Sequence, residues 1–170
     1  MVMDLRFDSI TTIDLPFINK TRNTYCEDFL HDSRKFNLLE TYEWYYKTKP
    51  DFWIIFENKE RVGYFRLSNY SKENKNIYIG ADIAPEYRGK GYAKFAYSKF
   101  IPFVFENYNV NKISLEVLCN NEIAISLYKK LGFIYEGTKR EEIYKKDKYV
   151  DSIIMSILKK EYYANILENI

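Results

Sequence analysis

The stretch NIYIGADIAPEYRGKGYAKFAY, residues 76–97, constrains the chain more than any other. Apolar residues alternate from Asn76 to Ile83 and read as a β-strand. From about Gly91 the apolar positions Ala93, Ala96, Tyr97, Phe100, Val104 and Tyr108 recur at helical spacing. Between the two stand Gly89 and Gly91, and a glycine inside a helix costs about 1 kcal/mol against alanine. Their benefit is an uncovered backbone. Amides at a helix start, aided by the helix dipole, bind phosphate. Arg88, Lys90 and Lys94 add positive charge. The pattern predicts a strand–turn–helix unit that receives a diphosphate; the plainer reading is a turn whose glycines only ease the geometry.

Two commoner phosphate loops do not fit. A Walker loop needs G-x-x-x-x-G-K-[ST], but Ala84 stands at its first glycine and Gly91 follows Lys90. A dinucleotide fingerprint needs a third glycine where Lys94 stands.

The rest of the chain supplies a sheet for this unit. DLRF (4–7) is a short first strand, followed by a helix from Asp14 as N-cap with Ile13 and Ile18 as a hydrophobic staple. Residues 22–36 are polar and predict an irregular, substrate-facing loop. A second helix runs from Asn37, boxed by Glu40, to about Lys47. FWIIF (52–56) and VGYFRLS (62–68) read as a hairpin, KISLEVL (112–118) as a strand, and FIYEGTKREEIY with YVDSIIMSIL as a second hairpin around KKDK. Pro102 removes the helical bond to the carbonyl of Ser98 and predicts a bend. NNEIAISLYKKLG is a compact helix with an asparagine cap and a glycine stop. The order is β-α-α-β-β-β-α-β-α-β-β: a mixed α/β (α+β) sheet of about seven strands flanked by about four helices. With no linker, repeat or low-complexity tract, residues 1–170 read as one domain.

Composition excludes several roles. The 26 basic and 24 acidic residues leave a net charge of +2, which argues against a protein built mainly to hold nucleic acid. Only Cys26 and Cys119 occur, read as free thiols in a reducing compartment. No apolar run reaches membrane-spanning length, and the expected setting is cytoplasmic with no membrane partner. No cluster has zinc-ligand spacing, so no metal is expected. The 17 tyrosines and 12 phenylalanines are chiefly core material.

The downstream segment LEVLCNNEIAISLYKKLGF repeats the strand–cap–helix–glycine logic. Together with RGKGYA it resembles the GNAT superfamily of acyl-CoA-dependent N-acetyltransferases. The signature Q/R-x-x-G-x-G/A is met by Arg88, Gly91 and Ala93. The pattern N-x-x-A-x-x-L-Y-x-K-x-G-F is met at Asn121, Ala124, Leu127, Tyr128, Lys130, Gly132 and Phe133. The N-terminal third matches only in the order of its elements.

The resemblance implies a mostly antiparallel sheet with a splayed cleft, and acetyl-CoA lying between the strand that ends at Ile83 and the strand that holds Glu116. The diphosphate would rest on the segment Arg88, Gly89, Lys90, Gly91, Tyr92 and Ala93. Backbone near Ile83 would pair with the pantetheine arm, and the Asn121 side chain would add a hydrogen bond, beside or instead of capping its helix. Tyr128 matches the tyrosine beside the thioester sulfur. A phenol near pKa 10 facing a thiol near 8.5 is mismatched by about 1.5 units, roughly 2 kcal/mol for complete transfer, so hydrogen bonding to the developing thiolate suits it better than full donation. By packing alone Tyr128 would be a buried aromatic.

A base must also take a proton from the incoming ammonium. Glu116 points away from Leu115 and Val117 and is the first choice, supported by the glutamate that similar ribosomal-protein acetyltransferases carry in L-E-V. Its plain reading is a paired structural carboxylate, and Asp82 is the reserve. His31 reads as a solvated loop residue; the cysteines lack the partner a nucleophile needs.

Three functions are therefore weighed: an N-acetyltransferase, an acyl-CoA-binding module without transfer, and a nucleic-acid-binding module, the first preferred. For the acceptor, a nucleotide-linked amino sugar, a protein N-terminus and a polyamine all stand, with Glu27, Asp28 and Asp32 available to a polycation. KKEYYANILENI (159–170) reads as a docking helix, which leaves room for a homodimer.

Overall fold

The computed structural model describes residues 3–168, and the side chains of 3–165. Strand β1 (Leu5–Ser9) leads through a 3-10 turn (Thr12–Asp14) into α1 (Leu15–Phe29) and α2 (Leu38–Thr48). Strands β2 (Asp51–Glu57), β3 (Glu60–Ser71) and β4 (Asn76–Ile83) follow, then α3 (Tyr92–Asn107), β5 (Lys112–Leu118) and α4 (Glu122–Lys130). Strands β6 (Ile134–Lys145) and β7 (Lys148–Leu158) and helix α5 (Lys159–Glu168) complete the chain. The hydrogen-bonded strand order is β1-β2-β3-β4-β5-β7-β6. Among the described residues the seven strands match the expectation, and the fifth α-helix is the C-terminal segment read as a docking helix, of which residues 169–170 lie outside the described residues.

The chain divides into two compact units, one of residues up to Ser68 with Gly80–Ala96, the other of Asn69–Ile79 with the residues from Tyr97 onward. In the first, β1 and β2 pair antiparallel, as do β2 and β3. Ile10, Leu15, Ile18, Ile54, Phe56 and Tyr64 form its core under α1. In the second, β4 runs parallel to β5 with Asn76, Ile77 and Tyr78 opposite Lys112, Ile113 and Ser114. Strand β7 pairs antiparallel with both β5 and β6. Lys146 and Asp147 close the β6–β7 hairpin with φ of 50° and 58°, the left-handed pair that a tight turn matched to strand twist requires.

Helix starts depart from the expectation in the first unit. Asp14 does not cap α1 with its side chain; its carboxylate accepts from Thr11 N at 2.8 Å and Thr11 Oγ1 at 3.0 Å, which closes the 3-10 turn. Its other oxygen meets Arg61 Nε at 2.8 Å. Ile13 is 74% exposed and staples nothing, while Ile18 is buried. The stretch taken for a loop at 22–36 is helical as far as Phe29, with a break at Tyr25 (φ −142°, ψ 15°). The polar residues of its second half hide the length of this helix from a hydropathy reading. The side-chain amides of Asn19 and Asn23 donate to the carbonyl of Phe36 at 2.8 and 2.7 Å and tie down the connection to α2. At α2 the box holds: Glu40 N donates to Asn37 Oδ1 at 2.9 Å, and Glu40 answers the amide of Asn37 at 2.6 Å.

Helix α3 continues through Pro102. The carbonyl of Ser98, deprived of its helical donor by the proline, accepts from the hydroxyl of Tyr162 at 3.0 Å. The C-terminal helix thus docks on its own chain, where Tyr162 and Phe105 also meet ring to ring at 5.8 Å.

Candidate active site

Strand β4 delivers the glycine turn. Ala84 N donates to Val62 O at 3.0 Å, which holds the strand's exit in the sheet. Pro85–Tyr87 then form one 3-10 turn, closed by Tyr87 N on Ala84 O at 2.9 Å. Gly89 and Gly91 follow at φ of 70° and 87°, values that favour glycine. A side chain at Gly89 would meet no atom within 4 Å, and one at Gly91 would meet only Met3 Cε at 3.8 Å. No neighbour in the fold therefore excludes a side chain there; the bare backbone faces open space. The first bond of α3 runs from Phe95 N to Gly91 O at 3.1 Å, so the preceding amides lie ahead of the helical ladder. That cradle fits a diphosphate.

Arg88 departs from the simple picture of a phosphate cation. Its amide donates to Pro85 O at 3.3 Å, and its Nε donates to Ile83 O at 2.9 Å. Its guanidinium carbon stands 3.9 Å from the centre of the Tyr25 ring. The side chain is thus turned onto the fold, and Lys90 and Lys94 remain as the exposed cations of the segment. Tyr92 is buried and donates its hydroxyl to Glu57, which pushes its phenol up to about 12. Ala93 is half-buried in the first turn of α3.

Asp82, the reserve base, is 3% exposed and lies 2.9 Å from Arg66 Nε. The phenols of Tyr25 and Tyr64 lie beside it and are raised by burial and then by its charge. The backbone is shaped for this cluster: a side chain at Gly80 would strike the Arg66 guanidinium at 2.9 Å, and one at Gly63 the carbonyl of Asp82 at 2.6 Å. The carboxylate is thus enclosed by side chains of its own unit.

In the second unit, Asn121 caps α4 by accepting from Ala124 N at 3.2 Å, and Gly132 ends the helix at φ 91°. Tyr128 is 9% exposed on the inner face of α4. Its carbonyl accepts from Phe133 N at 3.0 Å, and its ring packs on Phe133 and, edge to face, on Tyr97 of α3 at 5.7 Å. Glu116 projects from β5 with 23% of its side chain exposed and meets Lys139 Nζ at 2.7 Å. That contact raises the lysine's pKa, the hydrogen bond leading. Sequence reasoning missed Lys139, Tyr25 and Tyr97. Only the first had any signal, as a cation in a charged hairpin.

The acids at the end of α1 and in the connection to α2 are engaged as well. Arg34 forks onto Asp32 at 2.8 Å, Arg22 stands 3.6 Å from the same carboxylate, and Lys35 meets Glu27 at 2.8 Å. Cys26 is buried and Cys119 exposed, and neither is in a disulfide. Among the described residues no group of three or more His, Cys, Asp or Glu side chains could hold a metal, and no helix is long and apolar enough to cross a membrane.

A mixed sheet with a bare-backbone turn between β4 and α3, and a capped helix carrying an inward tyrosine after β5, defines an acyl-CoA-dependent transferase class. Residues 18–133 match the model of the acetyltransferase (GNAT) family, and the chain belongs to that family. Acetyl-CoA is the acyl donor of its members. The chain is 33% identical over 109 residues to the uncharacterized N-acetyltransferase p20 of Bacillus licheniformis, a match spanning 64% of this chain and 61% of that protein. It is 31% identical over 157 residues to the spermidine N(1)-acetyltransferase of Vibrio cholerae, spanning 88% of this chain and 90% of that one. A crystal structure of spermidine N-acetyltransferase from Vibrio cholerae with CoA and spermine superposes at a TM-score of 0.88 with 26% identity, over 94% of this chain and 98% of that one. The Vibrio cholerae enzyme has also been solved as a dodecamer.

Proposed function

We propose that residues 1–170 work as one acetyltransferase domain that moves acetyl from acetyl-CoA to a primary amine of a polyamine. The observation that carries the donor side is the open, positive-φ backbone at Gly89 and Gly91 ahead of α3. The amides from Gly89 through Ala93 hold the diphosphate, Lys90 adds charge, and Arg88 shapes the turn. Backbone near Ile83 takes the pantetheine arm, and Asn121 serves it while capping α4. The spermidine acetyltransferases at 31% and 26% identity support the acceptor class.

Acetyl-CoA supplies an activated acyl thioester. The chain's residues manage the protons around it. Glu116, the more accessible of the two candidate carboxylates, receives the ammonium proton through water, with Lys139 holding its orientation. Tyr128 presents its hydroxyl to the departing sulfur. General acid–base contributions of this kind are worth about 10²–10⁴-fold, so Glu116→Gln lowers kcat by that order and leaves the KM for acetyl-CoA within about twofold.

A second acceptor reading follows from the ion pairs of Asp32 and Glu27. Carboxylates already answered by Arg34 and Lys35 offer a polycation less than bare ones would, which favours an acceptor of lower charge, such as a nucleotide-linked amino sugar or a protein N-terminus. CoA release from a panel of spermidine, spermine, amino-sugar nucleotides and short peptides decides between them. Turnover on the polyamines supports the first reading; turnover confined to the others replaces it. Two cysteines outside any disulfide suit a reducing, cytoplasmic setting, and neither nucleic acid nor membrane enters the scheme. In keeping with the dodecameric relative, the chain assembles at least as a homodimer, which light scattering checks.

A further inference from the structure

We propose that Tyr97 is a positioning residue for Tyr128, setting which way the Tyr128 proton points and steadying the charge that proton leaves behind. The inference rests on the reading that Tyr128 serves the departing sulfur. Tyr97 lies on α3 and is 1% exposed; Tyr128 lies on α4. The rings meet at 83°, edge to face, an arrangement aromatic pairs prefer. The Tyr97 hydroxyl donates to the Tyr128 hydroxyl oxygen over 3.5 Å. That is longer than the roughly 2.5–3.0 Å of a fully formed bond of this kind; hydrogen bonds at catalytic groups are often long before substrate arrives and tighten in the complex.

Packing alone gives no reason for the Tyr97 oxygen. Phe100, Ile101, Val104 and Phe105 follow it on the same helix, all fully buried and all hydrocarbon. A phenylalanine would fill the position equally well, and a buried hydroxyl is costly unless it is bonded. Its chemistry is the distinguishing feature. A phenol carries one proton and two lone pairs. With Tyr97 donating into one lone pair, the proton of Tyr128 must point to a different acceptor. The amine nitrogen bonds to the acetyl carbon and the carbon–sulfur bond breaks; the electron pair leaves with sulfur, and the Tyr128 proton is drawn towards it. Negative charge then gathers on the Tyr128 oxygen, where the Tyr97 hydrogen bond offsets it. Solvent later returns the proton. This relieves the mismatch between a phenol and a thiol that the sequence alone leaves open.

The test is a double-mutant cycle with Tyr97→Phe, Tyr128→Phe and the double variant, assayed as steady-state kinetics on the best acceptor of the panel. Each change deletes one oxygen and keeps both rings. The expected result is a kcat about tenfold lower for Tyr97→Phe, the loss of one hydrogen bond, with the KM for acetyl-CoA within twofold. The double variant is no slower than Tyr128→Phe alone. A Tyr97→Phe enzyme at parental kcat overturns the inference and leaves the role of Tyr128 standing. So does a tenfold loss that multiplies onto Tyr128→Phe, since Tyr97 would then act by another route. A Tyr128→Phe enzyme at parental kcat removes the role of Tyr128 and this inference with it.

Discussion

The guanidinium of Arg88 is stacked on the ring of Tyr25, its central carbon 3.9 Å from the ring centre. The same side chain donates to the carbonyl of Ile83 at 2.9 Å. The arginine of the family signature is therefore engaged with the protein before any cofactor binds. A cation–π contact of this sort contributes about 0.5–2 kcal/mol and a hydrogen bond about 1 kcal/mol. Arg88→Met should accordingly cost the unliganded protein about 1–2 kcal/mol in urea unfolding. Arg88→Lys keeps the charge but not the planar fork or the Nε donor, and should lose most of the same amount. Stability unchanged in both variants would show that the side chain matters only to the ligand.

Gly89 separates the backbone requirement from the space requirement. Its φ is 70° and no atom lies within 4 Å of a built side chain. Gly89→Ala should thus fold with a penalty of only about 1–2 kcal/mol, the cost of a left-handed alanine. If the diphosphate rests on this segment as proposed, a methyl group at the bare position crowds it, and acetyl-CoA binding measured by calorimetry should weaken at least tenfold. Parental affinity in that variant would mean that the diphosphate lies elsewhere.

Tyr162 completes α3 from outside the helix. Tyr162→Phe removes the hydroxyl that the carbonyl of Ser98 accepts from and should destabilise the fold by about 0.5–1.5 kcal/mol, the net worth of one hydrogen bond. Restoring the helical donor offers a check: Pro102→Ala should reduce the effect of Tyr162→Phe. Equal losses in both backgrounds would refute the link.

Tyr92 makes stability fall at high pH. Its phenol is pushed up to about 12, first by the hydrogen bond it donates to Glu57 and then by burial. The folded value lies above the ordinary 10, so the contribution is fully present below pH 10 and is lost as pH rises towards 12. Thermal melts from pH 9 to pH 12 should show a smaller decline for Tyr92→Phe than for the parent. Parallel declines would contradict the assignment.

What the sequence disclosed follows from how local the signals are. The glycine turn, the Asn121 cap, the Gly132 stop and strands β4 and β5 are written in adjacent residues, and they stand where the pattern places them. Helix α1 starts where the sequence places it but runs on to Phe29, through residues too polar to signal a helix. Past Ile18 its buried face carries Thr21, Tyr25 and Cys26 in place of aliphatic residues, and Asn19 and Asn23 serve the carbonyl of Phe36. The Ile13–Ile18 staple failed because Thr11 and Asp14 had already closed a tighter turn. In the site, Arg88 was legible as a cation but not its inward course. That course depends on Tyr25, 63 residues earlier in the chain. Tyr97 and Tyr128 meet only because α3 and α4 pack together, which no spacing within either helix reveals.

The central claim is that bare amides after Arg88 grip the diphosphate of coenzyme A. Its most direct test is a backbone amide NMR titration of the protein with CoA. The account predicts that the amides of Gly89, Lys90, Gly91, Tyr92 and Ala93 shift further than those of any other segment as the site saturates. Saturable binding with those five signals unmoved would contradict it.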